Sequence, residues 1–111
     1  MKKEIKEEKC RDCVTMRPVA DVEETHAGVE IVFEMPGVKG EDVEIEAGSG
    51  VLTVEGKSTL RRRGAPVMFK RSFYISDAVD VAKIAAKAEN GILTLTLPKL
   101  ESAMPRKIKV S

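Results

Sequence analysis

The stretch "AENGILTLTLPK", residues 88–99, decides how the chain is read. Leu93, Leu95 and Leu97 alternate with Ile92, Thr94 and Thr96, so a strand here carries leucines on one face only. Asn90-Gly91 supplies the positive φ angles of a tight hairpin turn, and Pro98 ends the ladder because it lacks an N–H donor. A strand of this kind belongs in a half-buried antiparallel sheet. No residue in it pairs a nucleophile with a base.

Working outward, the same period of two recurs. Val29, Ile31 and Phe33 share a face of "VEIVFEM", which follows "VADVEET" through a His26-Ala27-Gly28 turn and ends at Pro36-Gly37. "DVEIEA" places Val43, Ile45 and Ala47 on one side and carboxylates on the other. Gly48-Ser49-Gly50 then turns the chain into "VLTVEG", with Leu52 and Val54 inward. "MFKRSFYI" alternates through Phe69, Arg71, Phe73 and Ile75, and "IAAKAE" aligns Ile84, Ala86 and Ala88. Residues 77–83 suit an irregular turn or a single helical turn capped by Asp77 or Asp80. Residues 57–68, "KSTLRRRGAPVM", show no periodicity and contain Arg61–Arg63 and Pro66, which predicts a solvated loop. About six or seven short strands without a long helix predict an all-β chain, an antiparallel β-sandwich. The expected division is a short charged N-terminal arm over 1–17, one domain over 18–100, and a polar tail over 101–111. That tail holds a single apolar pair, Ile108 and Val110.

Composition narrows the function. The chain has 111 residues, enough for one modest core, and 19 Lys plus Arg against 18 Asp plus Glu give a net charge of +1. That balance argues against a nucleic-acid or membrane-surface partner, since both call for excess positive field. No apolar run approaches the roughly 20 residues that cross a bilayer. "MKKEIKEEKC" has no apolar signal region, and with only two cysteines the expected location is the cytoplasm. Aromatic residues are 4% with no Trp, so Val, Ile, Leu, Ala and Met must build the core.

The residues with chemical potential are few. His26 stands alone in a turn, and Glu44 and Glu46 read as the wet face of a strand. Arg61–Arg63 lacks the interleaved aromatics of a single-strand nucleic-acid site. Cys10-Arg11-Asp12-Cys13 has the spacing of half a zinc site or of a redox pair. A structural zinc needs about four ligands, and the βαβ context of a thioredoxin-like site is missing. The pair is therefore expected to be reduced, with Cys10 and Cys13 as weak metal candidates only. No cofactor is expected, and no enzyme.

At this point the sequence resembles a known family. "AKAENGILTLTLPK" is similar to the signature near the end of the α-crystallin domain, with Ala86, Asn90, Gly91, Ile92 and Leu93 in the matching places. "FEMPGVKGEDVEIEAGSGVLTVEGK" looks like that domain's Met-Pro-Gly-Val segment and following hairpin, and Ile108-Lys109-Val110 resembles its Ile-x-Ile/Val tail. The likeness spans about residues 18–110 and points to the small heat-shock proteins of bacterial and archaeal type. It implies an immunoglobulin-like β-sandwich and an ATP-independent chaperone that holds unfolding client proteins and forms dimers or higher homo-oligomers. It also implies a groove for tail or client between Val43 and Ile45 on one strand and Ile84 and Ala86 on another, filled by a neighbour's Ile108 and Val110. The competing reading is a CS-type sandwich adaptor for a folded chaperone partner, which has no need of such a tail. The bacterial relatives exchange a strand between subunits in the region of 57–68. The polar composition here instead predicts a dimer held by edge or tail contacts.

Overall fold

The computed structural model describes residues 10, 12–103 and 108–110. Eight strands dominate it: β1 (Val14–Met16), β2 (Val19–Thr25), β3 (Gly28–Glu34), β4 (Val38–Gly48), β5 (Val51–Arg62), β6 (Ala65–Tyr74), β7 (Ala85–Glu89) and β8 (Ile92–Pro98). They form two four-stranded sheets, ordered β1-β6-β5-β4 and β2-β3-β8-β7, and every pairing is antiparallel except β1 with β6. This is an immunoglobulin-like sandwich. β1 lies inside the stretch read from sequence as the arm.

The core follows the alternation. Leu93, Leu95 and Leu97 of β8 are buried, and across the register they sit beside Phe33, Ile31 and the half-buried Val29 of β3. Leu52 and Val54 of β5 with Val67 and Phe69 of β6 face them from the other sheet. Phe73 closes on Phe33 edge to face, with ring centroids 5.7 Å apart at 63°.

Three hairpins use one turn chemistry. Ser49-Gly50, Arg63-Gly64 and Asn90-Gly91 each place both central residues at positive φ, 53° and 77°, 53° and 83°, 54° and 78°. That is the handedness that matches the twist of flanking strands. The middle turn corrects the expectation for residues 57–68, which are not a loop. β5 and β6 run through them, with Arg62 opposite Ala65 and Arg61 opposite Pro66. Arg63 carries the left-handed backbone, and the Arg61 side chain holds the turn by donating Nε and Nη2 to the Gly64 carbonyl at 3.1 and 2.6 Å. Polar composition marked solvent exposure there, not absence of a strand. At residues 81–83 a short 3₁₀ turn forms, and Asp80 occupies its N-cap without a side-chain capping bond.

Within β5, Ser58 is the buried polar residue of the described chain. Its Oγ donates to the Pro36 carbonyl at 2.7 Å and accepts from the Leu60 N–H at 2.9 Å. Thr59 N–H donates to the Gly37 carbonyl at 2.9 Å, and Met35 N–H to the Gly91 carbonyl at 2.8 Å. The Met35-Pro36-Gly37 turn is thus tied to both sheets. Ser58→Ala orphans two backbone groups and should cost about 1–3 kcal/mol in urea unfolding. A change under about 0.3 kcal/mol would show that water replaces the hydroxyl.

Candidate functional site

β4 and β7 are each one of the two edge strands of their sheets, and they lie on the same side of the sandwich. At the turn end they touch, since a Cβ on Gly40 would stand 3.6 Å from the Ala88 Cβ. Between these two edge strands lies the position expected for the groove. Val43, Ile45 and Ala47 pair with Gly56, Val54 and Leu52, so they point to the sandwich interior. They are half-buried against the core, as is Ile84. Ala86 pairs with Leu95 on the inward face of β7 yet is exposed, because no strand of the other sheet covers it.

Of the expected groove residues, then, Val43, Ile45 and Ile84 rim the core and Ala86 lies open to solvent. Ile108 and Val110 are 81% and 90% exposed, so the tail pair is not in that groove within one chain. An edge strand that carries apolar side chains is the kind of surface to which an extended segment can add, through strand pairing and alternate side-chain burial.

The other candidates are dispersed. His26 is exposed in the β2–β3 turn, Glu44 and Glu46 line the outer face of β4, and Arg61–Arg63 form the exposed tip of the β5–β6 hairpin. Cys10 and Cys13 are joined by a disulfide with Cα atoms 5.3 Å apart, which differs from the reduced pair expected. Among the described residues no group of three or more His, Cys, Asp or Glu is placed to hold a metal ion. The ion pair Lys87–Glu89 at 3.8 Å is exposed and contributes little, and Lys70–Glu55 at 3.4 Å joins an exposed lysine to a half-buried glutamate. No described helix is long and apolar enough to cross a membrane.

Alternation placed Arg71 on the inner face without revealing its use. Its guanidinium stands 4.9 Å from the Phe73 ring centroid, and Nη1 donates to the Pro18 carbonyl at 3.0 Å. Pro18 is buried where the chain crosses from β1 in one sheet to β2 in the other, so Arg71 fastens that crossing. Its buried Nε has no partner among the described residues. Arg71 closes the side of the sandwich opposite β4 and β7. Arg71→Ala should lose about 2–3 kcal/mol of stability, and Arg71→Lys should recover less than half, because a point charge replaces a planar fork. Full recovery by Lys in chemical denaturation would assign the effect to charge alone.

The Hsp20/alpha crystallin family model matches residues 21–111. Heat shock protein 16 of Schizosaccharomyces pombe is 34% identical over 104 residues, spanning 83% of this chain and 73% of the relative. Small heat shock protein C2 of Rickettsia felis is 32% identical over 103 residues, spanning 84% and 67%. The solved structure of heat shock protein 16.0 from Schizosaccharomyces pombe superposes with a TM-score of 0.69 at 32% identity, over 86% of this chain and 97% of that one.

Proposed function

This chain belongs to the Hsp20/alpha crystallin family of small heat-shock chaperones, and we propose that it acts as an ATP-independent holdase. It binds extended apolar segments of unfolding proteins and limits their aggregation. Self-association runs through the tail, with Ile108 and Val110 of one subunit entering the trough of Val43, Ile45, Ile84 and Ala86 on a neighbour. The observation that carries this reading is the half-burial of Val43, Ile45 and Ile84 beside the exposed Ala86, together with an apolar tail pair left 81% and 90% exposed. Its place of action on this reading is the cytoplasm, and it needs no cofactor.

The energetics suit a reversible clamp. Ile108 and Val110 are two residues apart, so an extended tail turns both to one surface. Burying two such side chains gains roughly 3–6 kcal/mol before ordering costs. Immobilising the tail and restricting the partner consume much of that, leaving one link at about millimolar strength or weaker. Several links in one particle reinforce each other through effective concentration. A chaperone of this kind must uncover its trough when an unfolding chain arrives, and weak links permit that.

Light scattering of a heat-aggregating model enzyme, without nucleotide, tests the activity. Scattering should fall at a few-fold molar excess of this protein. Undiminished scattering at such an excess would favour an adaptor for folded partners. Replacing Ile108 and Val110 by Ala should lower the particle mass toward dimers in size exclusion coupled to light scattering, while the sandwich stays folded. An unchanged mass would remove the tail from assembly.

A further inference from the structure

We propose that Met16 is a reversible oxidation site whose sulfoxide is received by Arg62, which fastens β1 to the tip of the β5–β6 hairpin. Arg62 Nη1 donates to the Met16 sulfur at 3.7 Å, although the two residues lie 46 apart in the chain. The contact bridges a whole strand. In the sheet order β1-β6-β5, Met16 pairs with Phe69 of β6, while Arg62 of β5 pairs with Ala65 on the other side of that strand. β1 is slight, with Val14, Thr15 and Met16 paired in parallel to Val67, Met68 and Phe69. So short an edge strand gains little from its ladder alone, and a side-chain contact from beyond the neighbouring strand weighs in its docking.

Access and partner single out this sulfur. Met16 is half-buried on an edge strand, whereas Met35 and Met68 are 1% and 9% exposed, so a small oxidant reaches Met16 first. The oxidant is a peroxide. A sulfur lone pair attacks one peroxide oxygen, the O–O bond breaks, and the departing hydroxide takes a proton and leaves as water. Sulfur loses two electrons and the peroxide gains them. A thiol-dependent methionine sulfoxide reductase reverses the step, as two thiols become a disulfide and the oxygen leaves as water. Oxidising a methionine packed on a core normally disrupts it, because the new oxygen lacks a donor. Met16 does pack against the core, but here the donor is already in place. A thioether accepts weakly, whereas a sulfoxide oxygen facing a guanidinium accepts a charge-assisted hydrogen bond. Oxidation therefore tightens the link between β1 and the hairpin. This inference does not depend on the holdase reading.

Brief exposure of the full chain to hydrogen peroxide, followed by peptide mass mapping, tests the site. Met16 should oxidise at least about tenfold faster than Met35 or Met68. In hydrogen exchange, the amides of Val14–Met16 that pair with β6 should slow roughly fivefold on oxidation, with β8 unchanged as the internal reference. In Arg62→Ala the same oxidation should speed those amides instead, because the sulfoxide oxygen then meets the core without a donor. Met16→Leu should abolish the response of β1 to peroxide, which separates the effect from oxidation elsewhere in the chain. Oxidation of Met16 no faster than of Met35 or Met68 would overturn the proposal. So would unchanged or faster β1 exchange in the oxidised parent chain, slowing that persists in Arg62→Ala, or a response retained by Met16→Leu.

Discussion

Leu93, Leu95 and Leu97 on β8 are the contact on which both sheets close, each exposed by 3% or less. A chain without Trp and with three Phe has little else of bulk, so the aliphatic stripe must be covered from the facing sheet by Leu52, Val54, Val67 and Phe69. A two-layer sandwich also has two long sides where the layers end, and there the same interior can be reached by solvent. The structure treats those sides differently. On one, the chain itself crosses between sheets at Pro18, with Arg71 beneath it and β1 lying along β6. On the other lie the edge strands β4 and β7, where Val43, Ile45 and Ile84 are half-buried.

That asymmetry links fold to function. A side that the chain closes is a stability feature, whereas the other side is, on the proposed reading, where an extended segment binds. Apolar side chains on an edge strand are a standing aggregation hazard in a monomer. An exposed tail carrying two aliphatic residues at strand spacing answers it, provided that the tail of another copy is within reach. On the holdase reading, weak individual contacts serve better than strong ones, because the groove would have to be vacated for a client.

Much of this was legible in the sequence wherever burial was one-sided. Val29, Ile31 and Phe33, the β8 leucines, and Val43, Ile45 and Ala47 announced their faces by strict alternation, and Asn90-Gly91 announced its turn. The hairpin through residues 57–68 was not legible, because its outer half projects beyond the core and has no buried face to leave a pattern. Ser58 and Arg63-Gly64 were signals that could have been weighed, the latter as a residue-Gly pair between extended runs. Arg71 was placed on the correct face, yet a guanidinium's hydrogen bond to a carbonyl 53 residues away leaves no local trace. The groove residues were named from family resemblance alone, since Ala86 carries no more apolar surface than any other alanine.

The most direct measurement is an amide chemical-shift titration of the full chain carrying Ile108→Ala and Val110→Ala, with a synthetic peptide of residues 104–111 added. Tail recognition by the trough predicts saturable shifts confined to residues 43–47 on β4 and 84–88 at β7, with a dissociation constant of about millimolar. Shifts centred on β2, or none up to saturating peptide, would contradict it and leave β4 and β7 without their assigned occupant.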